Sequence, residues 1–245
     1  MRIISTIEAR MNSSRLPGKV LLKAGGIPLL LHLTNRLKKV KIIDDLIIAT
    51  TKKIEDDVIV DFARSNNIKF FRGSENDVMS RVIGAAESLN ADVVVEVTGD
   101  CPIIDTSIVE QIIKTYLNNN VDYVSNVHKR SYPDGMDVQV YSLKTLKKSS
   151  SMTKKKLHRE HVTLHIRENT KLFSRINCIS PEYLYWPDLG LTLDEYSDYI
   201  LLKKIIENFI KKKNPNFSCY EVIKFLKKNK QLLKINHKVQ RKGDN

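Results

Sequence analysis

Short apolar runs alternate with longer stretches of helical period through the first half of the chain. Ile3-Ile4-Ser5-Thr6-Ile7 reads as a first strand, and residues 29–37 repeat their leucines at helical spacing. Further apolar runs at 46–50, 69–71, 92–97 and 122–126 read as strands. Helical patterns over 55–66, 75–89 and 105–117 separate them. Val58, Ile59 and Phe62 share one helix face, and Ser74 is the expected cap of the 75–89 helix. Strands alternating with helices of this length predict an α/β fold of three layers around a mostly parallel sheet.

The rhythm changes after residue 128. Ser131-Tyr132-Pro133-Asp134-Gly135 carries turn chemistry. Residues 136–141 and 172–179 read as strands, and 145–156 as a polar, lysine-rich helix. The 157–169 stretch is helical in pattern and contains His158, Arg159, His161 and His165. Asp194 is expected to cap an amphipathic helix running to about residue 212. A last helix over 219–234 precedes a polar tail. No internal repeat is evident. The expected division is one domain over 1–212 and a lysine-rich helical extension over 213–245.

The first strand-to-helix connection carries the densest chemistry. Glu8-Ala9-Arg10-Met11-Asn12-Ser13-Ser14-Arg15-Leu16-Pro17-Gly18-Lys19 places three cations and two serines beyond the end of a strand. In open α/β sheets, ligands bind outside the carboxyl ends of the strands. Arginine forks match phosphate oxygens, lysine adds a mobile charge, and Gly18 permits close backbone approach. The same residues also read as a solvated basic loop. Neither a Walker loop nor a dinucleotide fingerprint is present.

Two carboxylates complement that loop. Asp100, in Thr98-Gly99-Asp100-Cys101-Pro102, directly follows the fourth strand. Asp194 follows Leu191-Thr192-Leu193. Magnesium takes one or two carboxylates together with substrate phosphates, so the pair is a candidate Mg²⁺ site. Strand termination and helix capping are the competing readings of Asp100, and helix capping of Asp194.

Composition bounds the rest. The 245 residues are 42% hydrophobic and 28% charged, enough for a sizeable core. No apolar run approaches the roughly 20 residues of a membrane span, and no signal sequence opens the chain. The expected location is therefore the cytoplasm. Cys101, Cys178 and Cys219 are widely spaced and expected to be reduced thiols. The net charge of +13 lies wholly in residues 141–245, because residues 1–140 hold 18 basic and 18 acidic side chains. The lysine runs read as a solvated helical face, since no nucleic-acid-binding motif accompanies them. The histidines at 158, 161 and 165 have the spacing of a zinc site but lack its carboxylates. Packing or sugar contact is the alternative.

Five segments, in order, resemble the CMP-sugar synthetases, a cytidylyltransferase family, in the branch typified by the spore-coat polysaccharide enzymes. More distant is the enzyme that activates 3-deoxy-manno-octulosonate. The segments are Glu8 through Lys19, Phe71-Arg72-Gly73-Ser74-Glu75-Asn76-Asp77-Val78, Thr98-Gly99-Asp100-Cys101-Pro102, Tyr132-Pro133-Asp134-Gly135-Met136-Asp137, and Arg159-Glu160-His161-Val162-Thr163. The resemblance implies a glycosyltransferase-A-like nucleotidyltransferase fold. It also implies transfer of CMP from CTP to a sugar of surface polysaccharide biosynthesis, acidic or keto, with release of pyrophosphate. It places Arg15, Lys19 and Asp100 in catalysis, and Ala9, Arg10, Ser14, Arg72 and Ser74 beside them on the nucleotide. Asp134, Gly135, Asp137, Arg159 and His161 fall on the sugar side, and Asp100 and Asp194 on Mg²⁺. A homodimer is the family's assembly; neither a nucleic acid nor a membrane is an expected partner.

Three positions depart from the family pattern. Glu96 stands where a basic residue is expected, and Gly190 where an arginine is expected. Asp194-Glu195-Tyr196-Ser197-Asp198 replaces D-T-P-E-D. The first two remove positive charge and imply an altered acceptor or reduced activity. Two other readings therefore stay open: a nucleotidyltransferase using another nucleotide or a non-sugar acceptor, and a catalytically weak nucleotide-binding assembly subunit.

Overall fold

The computed structural model describes residues 1–241. Strand β1 (Ile3–Glu8) leads through the basic loop and a single 3-10 turn into a small hairpin, β2 (Lys23–Ala24) and β3 (Ile27–Pro28). Helix α1 (Leu29–Leu37) follows, then β4 (Asp45–Thr51), α2 (Asp57–Ser65), β5 (Lys69–Gly73), α3 (Val78–Ser88), β6 (Val93–Thr98) and α4 (Thr106–Leu117). The second half adds β7 (Tyr123–Ser125), β8 (Gln139–Ser142), α5 (Leu143–Met152), α6 (Lys156–Glu160), α7 (Leu164–Glu168), β9 (Arg175–Asn177), α8 (Tyr196–Lys211) and α9 (Cys219–Lys228).

Seven strands form one sheet in the order β5-β4-β1-β6-β8-β7-β9. Six run the same way, and β8 alone runs against them. The start of β8 therefore lies at the edge where β1 and β6 end. That reversal brings the Pro133–Asp137 turn to the same edge of the sheet.

Side chains of a strand alternate between faces. Ile3, Ile7, Val93, Val95 and Val97 enter the larger core with α1, α4, α8 and α9. Ile4, Ile47 and Val94 enter a second core with α3 and α5. Glu8 and Glu96 share the parity of Ile4 and Val94, so these carboxylates point into the second layer. The three-layer, mostly parallel α/β architecture is as the sequence predicts. No helix among the described residues is long and apolar enough to cross a membrane.

Several predicted boundaries shift for local reasons. Helix α3 starts at Val78, because Asp77 accepts the Ser80 N–H at 2.9 Å; Ser74 instead accepts the Asp77 N–H at 3.1 Å. The 157–169 helix splits into α6 and α7, since His161 has a non-helical backbone (φ −102°, ψ 53°). The lysine-rich helix begins at Leu143, capped by Ser142. The predicted strand over 172–179 shortens to β9. Helix α8 starts at Tyr196 with Glu195 as its cap, so Asp194 is not the cap.

The 213–245 segment, as far as it is described, packs onto the larger core. Phe217, Cys219, Val222, Ile223 and Leu226 are all buried there. Buried Arg36 donates to the Phe217 carbonyl at 2.9 Å and to the Ile104 carbonyl at 3.3 Å, tying α1 and the turn before α4 to this segment. The last helix is shorter than predicted, and residues 242–245 of the tail lie outside the described residues.

Candidate active site

A cavity of about 620 Å³ opens at the carboxyl edge of β1 and β6. The basic loop forms one wall. Asp56, itself buried, accepts the Met11 N–H at 2.7 Å and the Thr51 N–H at 3.1 Å, fixing the loop to the end of β4. The Gly18 N–H returns to the Met11 carbonyl at 2.8 Å, with Gly18 at φ 70°, a conformation that suits glycine. The loop thus closes on itself and turns Lys19 inward.

Lys19 sits between the two predicted carboxylates. Its Nζ donates to Asp100 Oδ2 at 3.0 Å, to Asp194 Oδ1 at 3.4 Å and to the Leu193 carbonyl at 2.6 Å. Arg15 adds a second cation, 2.7 Å from Asp194 Oδ1. Burial opposes the Lys19 charge, but Asp100 and Asp194 outweigh it and raise its pKa above the ordinary lysine value. Burial likewise opposes ionisation of Asp100. Lys19 and the Thr98 hydroxyl win, and its pKa falls below the usual range. At neutral pH the site therefore holds full charges of both signs.

Backbone pairing explains how residues so far apart in sequence meet. The Leu193 N–H donates to the Asp100 carbonyl at 2.8 Å. The Asp134 N–H donates to the Leu189 carbonyl at 2.9 Å, and the Leu191 N–H to the Asp134 carbonyl at 2.7 Å. The segment before α8 is thus laced to both the Asp100 turn and the Pro133–Asp137 turn.

Ala9, Arg10, Ser14, Arg15, Lys19 and Asp100 all line the cavity, as do Asp134, Asp137, His161 and Asp194. Arg72, Ser74, Gly135 and Arg159 do not. Arg72 is held by Asp57, the Thr51 carbonyl and the Lys53 carbonyl. Arg159 forms a two-pronged pair with Asp77 at 2.9 and 2.6 Å, bracing α6 against the cap of α3. Gly135 lies against the Leu191 backbone, where its role is close approach. His158 and His165 are buried away from the cavity, bonded to Thr153 and Ser149.

The cavity also holds groups that the sequence reading missed. Glu8, Arg81, Gln139, Thr163 and Arg167 line it, together with Arg130. Only strand parity at β1 could have pointed to Glu8. Burial, reinforced by Glu96, pushes the Glu8 carboxyl well above its ordinary value. Glu96 is also buried and is pushed up to about 7. The Tyr141 hydroxyl donates to its Oε2, and the Gln139 amide to its Oε1 at 3.0 Å. Asp137 is raised to about 7 by burial, despite the Arg130 guanidinium 3.2 Å away. Glu96 is therefore a hydrogen-bonded carboxyl poised near neutrality.

The charge missing at Gly190 is restored from elsewhere. Arg241, near the end of the chain, occupies the space in front of Gly190 and reaches Asp198 Oδ1 at 2.7 Å and Asp194 Oδ2 at 3.4 Å. Nothing local in the sequence announces that contact.

A cytidylyltransferase family model matches residues 4–239. The chain is 31% identical over 231 residues to the spore coat polysaccharide biosynthesis protein SpsF of Bacillus subtilis, covering 93% of this chain and 95% of that one. The 3-deoxy-manno-octulosonate cytidylyltransferase of Chloroherpeton thalassium is 32% identical over 121 residues, 49% of this chain and 48% of its own. A solved cytidylyltransferase structure from Leptospira borgpetersenii superposes with a TM-score of 0.90 at 31% identity, covering 99% of this chain and 100% of that one. The family model spans nearly the whole chain and the fold is shared at that level, so the chain belongs to the cytidylyltransferase family.

Proposed function

We propose that this protein transfers CMP from CTP to a sugar and releases pyrophosphate. The observation that carries the reading is Lys19, clasped between Asp100 and Asp194 with Arg15 beside it, at the mouth of β1 and β6. A triphosphate entering there meets Arg10, Arg15 and Lys19. The sugar hydroxyl attacks the α-phosphorus, the bond to the β-phosphate oxygen breaks, and pyrophosphate leaves with a proton released. Nucleotidyl transfer of this kind depends on positioning and charge stabilisation. Lys19 and the arginines stabilise the charge that builds on the leaving pyrophosphate.

Mg²⁺ fits this donor set. Asp100 and Asp194 offer hard carboxylate oxygens that one ammonium already spans, and Mg²⁺ takes one or two carboxylates with substrate oxygens completing its shell. When bound, it would draw charge from the α-phosphate. The acceptor end supports an acidic or keto sugar: Arg130, Arg167 and His161 line it, beside the hydrogen-bonding Gln139 and Thr163. One relative, matched over 49% of this chain, is a 3-deoxy-manno-octulosonate cytidylyltransferase, whose acceptor is of that class.

The test is calorimetric titration of CTP, UTP, ATP and GTP with Mg²⁺. CTP is expected to bind most tightly. Equal affinity for all four nucleotides would remove the base assignment.

A further inference from the structure

The C-terminal segment reaches back to the site. Asn236 is buried and donates to Asp198 Oδ1 at 2.8 Å and to the Gly190 carbonyl at 3.0 Å. Five residues on, Arg241 spreads its guanidinium over three carboxylates. Its Nη2 lies 2.7 Å from Asp198 Oδ1, its Nη1 3.1 Å from Asp198 Oδ2 and 3.4 Å from Asp194 Oδ2, and its Nε 3.6 Å from Asp134 Oδ2. The Gln240 carbonyl accepts from Arg15 Nη1 at 3.2 Å, so the tail also touches the basic loop. Arg241 itself lines the cavity.

Gly190 is shaped around this contact. A Cβ there would lie 1.8 Å from Arg241 Nη2 and 2.5 Å from Cζ. Its backbone is not in the left-handed region, so space for the guanidinium is what a side chain would violate. The family-model match ends at residue 239, two residues before Arg241.

We propose that the C-terminal extension completes the site, with Arg241 as a positioning residue that balances Asp134, Asp194 and Asp198 and so lets a polyphosphate enter beside them. This rests on the reading that the cavity takes a polyphosphate. Three carboxylates without that guanidinium would repel the triphosphate and leave Asp194 held from one side only, by Arg15 and Lys19. Removing one partner of a part-buried ion cluster costs far more than removing a surface pair.

Gly190 supplies an independent handle. Gly190→Ala would evict the flexible end of Arg241 while leaving every charge in the chain. Binding of Mg²⁺–tripolyphosphate and of Mg²⁺–CTP is measured by calorimetry for the wild type, Arg241→Ala, Arg241→Lys, Gly190→Ala and the double variant Gly190→Ala/Arg241→Ala. Arg241→Ala and Gly190→Ala should each weaken tripolyphosphate by about tenfold or more. The double variant should be no worse than either single one. Arg241→Lys should recover part of the loss, and millimolar guanidinium should partly rescue Arg241→Ala. Tripolyphosphate binding that depends on Arg241 while CTP shows no preference over other nucleotides would sustain this inference and reject the proposed function. Unchanged affinity in the single variants, additive losses, tighter binding without Arg241, or no tripolyphosphate binding by the wild type would each overturn it.

Discussion

At Lys19, burial and charge pull in opposite directions, and the two aspartates decide the outcome. Lys19→Ala is expected to slow transfer by 10²-fold or more, about 3 kcal/mol of lost charge stabilisation. Its melting temperature should also fall, because Asp100 and Asp194 lose the ammonium they share, so turnover is compared where the variant is fully folded. Near-normal turnover in that variant would place the triphosphate elsewhere. Asp194→Asn gives a sharper test than a simple capping argument allows. Glu195 and Asp198 cap α8, so the helix keeps its start when Asp194 changes. A folded Asp194→Asn protein with collapsed activity and a raised Mg²⁺ requirement is expected, and Asp100→Asn should match it. Full activity with unchanged Mg²⁺ dependence would remove either residue from the metal site. Glu96 makes a different prediction. Its folded pKa is about 7, against an ordinary 4.5, because it is buried. The folded state therefore holds a proton that the unfolded state releases first. The stability tied to that proton is complete below about 4.5 and is lost as pH rises through 7. Glu96→Gln keeps an acceptor for Tyr141 and should flatten the fall between those pH values. Denaturant titrations at pH 5 and 8 with the same loss in both proteins would contradict this assignment.

Among the elements, the Pro133–Asp137 turn shows how the site depends on close backbone approach. Gly135 has φ 98°, and a Cβ there would lie 2.6 Å from the Leu191 carbonyl oxygen. Gly135→Ala should cost roughly 1–3 kcal/mol from conformation alone. The forced shift of Leu191 should also move Asp194 and lower activity beyond the stability loss. Wild-type stability and turnover would mean the turn is free to relax. The strands that position the site were legible because they are apolar runs bounded by polar turns, buried on both faces as parallel strands are. Chemistry beyond their ends was legible too, since Arg15 and Lys19 lie in the loop that leaves β1 and Asp100 lies just past β6. The 157–169 region misled because its apolar spacing persists across His161, where the backbone leaves helical geometry. Arg72 and Arg159 read as site residues in the sequence, yet neither lines the cavity. Their partners, Asp57 and Asp77, are set by tertiary packing that local pattern does not encode.

For the whole molecule, the C-terminal segment is the part that sequence described least well. Lysine runs made it read as an appended, solvated extension. Its apolar face, however, is part of the larger core. Leu226→Ala should cost about 2–5 kcal/mol of global stability and preserve a single unfolding transition. A separate early transition, with the rest of the chain unaffected, would make α9 an independent appendage. Glu8 and Arg241 escaped sequence reading, and Glu96 was read only as a missing cation, for a shared reason: each acquires its role from burial or from contacts across the fold. The central claim joins all three scales, because the basic loop, the two aspartates and the acceptor wall must act on one reaction. Its most direct test is pyrophosphate release with Mg²⁺, using each of the four ribonucleoside triphosphates against a panel of acidic and keto sugars. Release with CTP that requires one of those sugars, and that vanishes in Lys19→Ala, is the predicted result. Release that ignores the sugar or prefers another nucleotide, or Mg²⁺–CTP binding with no turnover on any sugar, would contradict it.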